Sequence, residues 1–363
     1  MRTLLFATLG GVLYGAYVAG GVVVGAGVVA HNLQTAAAEA AAVAPSSSNQ
    51  ALARVAEAMS SVGVPVLPDV VVQAPVLAPL VLPDWQGTER INVMLLGVDQ
   101  RDDEVKLGLP TRSDSIIVVS IDPVSKTAAM ISFPRDLWLT VPGFGEHRIN
   151  EAYTLGELYR ADAGGGPGMT ARTLDLNFGL QVPYYATVNF RGFETIIDTL
   201  DGVIIDVPRP VKDDAYPTAD YGIERLYVAL GPQLMDGAQA LKYARTRHTD
   251  NDLNRSARQQ QVLLAIRDRA LRSDTFLRLP TLIDQGMRTV KTNFTTTQLL
   301  ALGKIASQMD TSSLQTLVIT YPMVVDFRGP AGAAILLPRK DDIRAAIRRT
   351  LEANSAPAAP ATP

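Results

Sequence analysis

Apolar and polar positions change their rhythm four times along the chain. From Leu4 to Ala30 no residue is charged, a run long enough to span a hydrocarbon core of roughly 30 Å at ~1.5 Å per residue. Glycine, alanine and valine dominate it and would make a poor helix in water, but in lipid the cost of unsatisfied backbone groups imposes one. Arg2 precedes the run, and no Lys or Arg follows until Arg54. The positive-inside rule therefore predicts a cytoplasmic N-terminus and everything beyond His31 outside. A cleaved signal peptide is the competing reading, but its apolar core is usually ~7–15 residues. Gly11-x-x-x-Gly15 and Gly21-x-x-x-Gly25 match a helix-dimerisation spacing and equally a merely glycine-rich anchor. Residues 35–60 have the composition of a short Ala-rich helix, and Val62–Pro83 holds Pro65, Pro68, Pro75, Pro79 and Pro83, which favours an extended spacer.

From Ile91 the pattern becomes that of a folded domain. Ile91–Leu96 reads as a buried strand ending in a Gly97-Val98-Asp99 turn. Ser115–Ile121 and Thr127–Ser132 are strands whose short link, Asp122 to Lys126, implies an antiparallel hairpin. Helices are predicted at Ile149–Tyr159, Met169–Phe178 (after a break at Gly164–Gly168), Phe190–Leu200, Met235–Arg245, Ser256–Leu271, Leu277–Val290, Thr296–Gln308 and Asp341–Leu351. Further strands are predicted at Tyr184–Val188, Val203–Val207 and Leu314–Thr320. Alternating strands and helices with at least one antiparallel pair predict an α/β fold: a mixed central β-sheet sandwiched by helices, preceded by one N-terminal transmembrane helix. The division is residues 1–34 for the cytoplasmic start and anchor, 35–86 for the Ala/Pro-rich spacer, 87–272 for the main folded domain, 273–352 for a helical and strand extension of that domain, and 353–363 for a disordered Ala/Pro/Ser/Thr tail.

Composition narrows the chemistry. The net charge of −3 supplies no global basic field for nucleic acid, so any polyanion must meet a local arginine cluster. The absence of cysteine excludes disulfides, thiol nucleophiles and thiolate zinc sites. Three histidines, His31, His147 and His248, make a multi-histidine metal site a poor expectation.

Acidic and basic residues recur together where predicted strands end: Asp99 with Arg101, Arg112 with Asp114, Arg135 with Asp136. Strand ends are where open α/β sheets bind ligands. Paired carboxylates without histidine suit a hard, oxygen-ligated cation such as Mg²⁺ or Mn²⁺. The arginine forks around them suit phosphate oxygens. Each pair alone reads equally as a surface salt bridge; three at three loop ends are harder to dismiss. A second cluster runs Tyr243-Ala244-Arg245-Thr246-Arg247-His248, then Asp252-Leu253-Asn254-Arg255, then Arg258-Gln259-Gln260-Gln261. Arg255 and Gln259 share a helix face near a helix start that favours an anion.

In order, Gly97-Val98-Asp99-x-Arg101, Thr111-Arg112-Ser113-Asp114-Ser115, Ser132-Phe133-Pro134-Arg135-Asp136, Arg148-Ile149-Asn150-Glu151-Ala152-Tyr153, Val188-Asn189-Phe190-Arg191-Gly192-Phe193 and Tyr243 through Gln261 together resemble the LytR-CpsA-Psr family of bacterial cell-envelope proteins, over roughly Ile91 to Leu271. The spacing between Arg247 and Arg255 looks shorter than in many relatives. The resemblance implies a membrane-attached phosphotransferase, its catalytic domain outside the cytoplasm. It would move a glycan or teichoic-acid polymer from an undecaprenyl-pyrophosphate carrier to peptidoglycan, with Mg²⁺ or Mn²⁺ assisting. By similarity Asp99 and Asp114 would hold the metal. Arg101, Arg112, Arg135, Arg245, Arg247, Arg255 and Gln259 would surround the pyrophosphate, and the lipid would lie in an apolar tunnel. Asp99, Asp114 and Asp136 are all candidates to take the acceptor proton. The alternatives are a hydrolase of polyprenyl pyrophosphates and a non-catalytic envelope regulator.

Overall fold

The computed structural model describes residues 81–99, 111–218, 222–246, 252–276, 279–310 and 314–353. The expected anchor, most of the spacer and the tail lie outside them, as do Arg101 and Arg247. Among the described residues no helix is long and apolar enough to cross a membrane. All of them belong to one unit, Pro79–Pro363.

Six strands form the central sheet: β1 (Ile91–Val98), β2 (Ser113–Asp122), β3 (Thr127–Phe133), β6 (Tyr184–Asn189), β11 (Val290–Thr292) and β12 (Gln315–Val318), ordered β11-β6-β1-β2-β3-β12. The expected hairpin joins β2 and β3, β1 is antiparallel to β2 and parallel to β6, and β12 is parallel to β3. The sheet is therefore mixed, with helices on both faces. Because side chains alternate across a strand, the register sorts each strand into two sets. Met94, Leu96, Val98, Ile116, Val118, Ile131 and Phe133 pack into the main core with α1 (Ile149–Tyr159), α2 (Gly165–Phe178) and α9 (Lys340–Glu352). On the other face, Ile91 and Val93 are covered by Phe294 and by Ile305 of α8 (Thr296–Gln308).

Farther along that second face, three helices roof the sheet: α3 (Phe190–Thr199), α4 (Gly237–Arg245) and α5 (Asp252–Ala270). They share a separate core with β7 (Val203–Val207), β8 (Val211–Pro217) and β10 (Gly231–Met235). Caps set two of their starts. The Asn189 side chain accepts from Gly192 N at 2.8 Å, and Asp236 accepts from Gln239 N at 2.8 Å, each worth about 1 kcal/mol. The remaining elements are β4 (Trp138–Val141) paired with β5 (Gly145–Arg148), β9 (Ile223–Val228) paired with β8, β13 (Val324–Arg328) paired with β14 (Ala334–Pro338), and the short helices α6 (Ser273–Phe276) and α7 (Leu279–Gly286).

Several boundaries differ from the sequence reading. Gly164–Gly168 is not a break, because α2 begins at Gly165 and packs tightly there. A Cβ on Gly166 would stand 2.8 Å from the Tyr153 ring, and one on Gly168 2.1 Å from Ala163 O. Pro167 fits because the first helical turn has no use for its missing N–H. Met235 closes a strand instead of opening a helix, Val290 lies in β11, and Val211–Pro217 is a strand where none was predicted.

Leu174 of α2 is fully buried in the main core, far in sequence from every candidate site residue. Leu174→Ala should cost about 2–5 kcal/mol, read as a lower denaturant midpoint at unchanged slope. A loss under about 1 kcal/mol would show that this core is not what holds the sheet to its helices.

Candidate functional site

The second face of the sheet carries a cavity of about 420 Å³. Its floor follows from the register. Leu95 pairs with Ile117 and Ala186, and Gly97 pairs with Ser115 and Val188, so all six point the same way. Val290, opposite Val188, extends the floor. Phe193 and Ile196 of α3, Leu241 of α4, and Val262, Leu263 and Ile266 of α5 close it above.

Polarity runs along this cavity in one direction. The C-terminal end of β1, the start of β2, and the ends of β3 and β6 all lie at one edge of the sheet. There Asp99, Asp114, Arg135 and Asn189 enter the lining. Arg255 and Gln259 line it from the first turns of α5, and Val262, Leu263 and Ile266 follow on the same helix. The lining of α5 thus passes from charged to apolar over eleven residues, about 16 Å at ~1.5 Å per residue.

Each charged group is placed by local structure. The N-terminal N–H groups of α1, which have no partner within the helix, hold the segment bearing Arg135: Ile149 N donates to Leu137 O at 2.8 Å and Asn150 N to Arg135 O at 3.3 Å. Arg135 Nη1 then donates to Asp114 Oδ2 at 2.8 Å, while its Nε lies 3.6 Å from Asp136 Oδ2. Asp99 is held through Thr111, whose hydroxyl donates to Asp99 O at 2.9 Å and whose own carbonyl accepts from Thr154 Oγ1 at 2.6 Å. Arg245, the last residue of α4, lies 3.9 Å over the Phe190 ring and donates to the Tyr216 hydroxyl at 3.2 Å. Its Nη2 is 3.8 Å from Asp99 Oδ2. Burial pushes the Tyr216 phenol above its usual range against the opposing pull of Arg245. Ser115 donates to Gln259 Oε1 at 3.0 Å, and Gln260 donates to Ser132 Oγ at 2.9 Å, so α5 is pinned across the sheet.

Of the residues singled out in the sequence, Asp99, Asp114, Arg135, Arg245, Arg255 and Gln259 line this one cavity. Arg112 is exposed and is not among its lining residues. Asp136 lines a second cavity and also meets Arg148 Nε at 3.5 Å. Three lining residues escaped the sequence reading. Asp213 is fully buried; its carboxylate accepts from Thr246 Oγ1 at 2.5 Å and from Ala215 N at 3.0 Å. Tyr216 and Phe190 hold Arg245. The signal for Phe190 lay in the Val188–Phe193 motif, whereas no element was predicted over the strand bearing Asp213 and Tyr216.

The donor set fits a hard cation. Of the three carboxylates that line this cavity, Asp213 is taken up by Thr246 and Ala215, which leaves Asp99 and Asp114 at a polar end whose lining contains no histidine, and Mg²⁺ commonly takes one or two carboxylates together with substrate phosphate oxygens and water. Among the described residues no group of three or more acidic or histidine side chains is assembled to hold a metal alone, so phosphate oxygens would complete such a site.

Comparison with known proteins agrees with this architecture. The chain is 32% identical over 239 residues to a protein of Oceanobacillus iheyensis named polyisoprenyl-teichoic acid–peptidoglycan teichoic acid transferase TagU, covering 65% of this chain and 64% of that one. It is 36% identical over 194 residues to the regulatory protein MsrR of Staphylococcus aureus, 53% of this chain and 52% of that one. The chain thus spans between half and two thirds of the length of these relatives. The crystal structure of B. subtilis TagV superposes with a TM-score of 0.60 at 26% identity, over 75% of this chain and all of that one. The model of the LytR_cpsA_psr family matches residues 46–343, and the chain belongs to that family.

Proposed function

We propose that the protein transfers a teichoic-acid-like glycopolymer from a polyprenyl-pyrophosphate carrier to peptidoglycan, working at the outer side of the membrane. The observation that carries this is the single cavity graded from arginines and carboxylates to an aliphatic end. That gradient matches a ligand with an anionic head and a hydrocarbon tail, and it matches neither a free sugar nor a polynucleotide. The name of the TagU relative supplies the same donor and acceptor classes.

In the proposed reaction an acceptor hydroxyl attacks the phosphorus bearing the glycan. The bond from that phosphorus to the bridging oxygen breaks, leaving a glycan phosphodiester on the acceptor and a polyprenyl phosphate. Such transfer needs positioning and charge neutralisation more than covalent help from the protein. Arg135, Arg245 and Arg255 bind and orient the phosphates, and Asp99 or Asp114 takes the proton. A Mg²⁺ or Mn²⁺ ion held by Asp99 and Asp114 would supply Lewis-acid neutralisation of the phosphate oxygens.

The test is the full-length chain with lipid-linked donor, Mg²⁺ and peptidoglycan fragments. A covalent glycan–peptidoglycan adduct is expected, with only slow donor breakdown when acceptor is omitted. Asp99→Ala should lower the metal-dependent rate at least tenfold. Rapid donor hydrolysis that acceptor does not redirect would make the protein a hydrolase. No turnover of donor under any condition would favour the regulatory reading that the MsrR name suggests.

A further inference from the structure

The second cavity, of about 280 Å³, shares a wall with the first. In the segment Pro134–Asp136, Arg135 lines the first cavity while Pro134 and Asp136 line the second. At the start of α5, Arg255 lines the first and Ser256 the second. The far side is the end of β12 and the β13–β14 hairpin, which is fastened in place. Leu336 N donates to Asp136 O at 3.0 Å, Leu336 bridges Leu137, and Arg148 Nη2 donates to Ala334 O at 3.0 Å. The cavity is therefore preformed.

Its chemistry differs from that of its neighbour. Among the described residues that line it none is Lys or Arg, which suits a phosphate poorly. Instead it offers the carboxylates of Asp136 and Asp326, the hydroxyls of Ser256, Thr320 and Tyr321, and an aliphatic floor. Arg135 and Arg148 balance the charge of Asp136 at 3.6 and 3.5 Å. Tyr321 is 56% exposed, and the Asp326 carboxylate beside it pushes its phenol above the usual range. Carboxylates and hydroxyls that can accept from ring hydroxyls, above an aliphatic floor beside an accessible aromatic, are what a neutral sugar ring requires.

We infer that this cavity binds a sugar unit of the acceptor glycan. Donor and acceptor then meet across the Pro134–Asp136 wall, with Arg135 bonded to Asp114 on the donor side and facing Asp136 on the acceptor side. The catalytic consequence rests on the transfer reading above; the binding of sugar does not.

The probe is chitotetraose, a neutral N-acetylated amino-sugar oligomer, added to the full chain and followed by saturation-transfer NMR and calorimetry. Tyr321 and Asp326 are exposed and outside every core cluster, so Tyr321→Ala with Asp326→Asn should fold; Asp326→Asn alone is the milder variant. Chitotetraose should bind the native chain together with farnesyl pyrophosphate. The double variant should bind it at least fivefold more weakly, with acceptor KM raised by a similar factor and farnesyl pyrophosphate affinity unchanged. No saturation transfer to the native chain, equal sugar affinity in both variants, or competition between the two ligands would overturn the assignment. A chain that binds sugar in this way but makes no adduct would sink the transfer reading while leaving the cavity assigned. Adduct formation with sugar affinity indifferent to both variants would do the reverse.

Discussion

Arg245→Lys is expected to slow polymer transfer about a hundredfold at saturating substrates, about 2.7 kcal/mol of lost transition-state stabilisation at ~1.36 kcal/mol per tenfold. Charge is conserved in this change, so a general electrostatic role predicts almost no effect. The geometry predicts a large one. The central carbon of the guanidinium lies 3.9 Å over the Phe190 ring, and the group donates to Tyr216 and faces Asp99, so three neighbours hold it before a phosphate arrives. An ammonium on a flexible stem has neither the plane nor the fork for two phosphate oxygens, and it holds its hydration more tightly. Steady-state rates with lipid-linked donor check this, with thermal unfolding as the control for fold. A rate within threefold of the native chain would mean that Arg245 acts as a point charge.

The second large effect belongs to the opposite end of the cavity. Donor affinity should rise with carrier length, by up to ~0.8 kcal/mol for each buried CH₂, until the space beside Val262, Leu263 and Ile266 is filled. Ile266→Asp places a carboxylate among those aliphatic side chains, where an uncompensated charge is costly. It should weaken a long-chain donor at least a hundredfold and flatten the length series, while a short-chain pyrophosphate binds as before. A series that keeps its slope in Ile266→Asp would place the lipid elsewhere.

Much of this was legible in the sequence, for reasons visible in particular segments. The helices Ile149–Tyr159 and Thr296–Gln308 have the bounds their periodicity implies. Strand β1 runs two residues past its expected end because Gly97 and Val98 continue the pairing, with a register shift between them. The hidden elements are those in which the inward position is not apolar. In β8 the buried set is Val211, Asp213 and Tyr216; with a carboxylate at its centre, the strand reads as a polar loop. Strand β13 exposes all but its first residue, so no alternation of hydrophobicity could announce it. The site was legible as residue types at strand ends. What the sequence could not separate from the residues that share the first cavity was Arg112, which is exposed, and Asp136, which lies on the other side of the wall from its neighbour Arg135.

The division of the central sheet into two faces also divides the work among neighbouring codons. Along β1, Met94 and Val98 serve the core, Leu95 and Gly97 floor the cavity, and Leu96 belongs to both; in β2, Ile116 and Val118 serve the core and Ser115 and Ile117 the cavity. Parity within a strand therefore largely separates the positions felt by the fold from those felt by the ligand. Carrier preference can drift through the cavity set while the main core on the opposite face stays fixed.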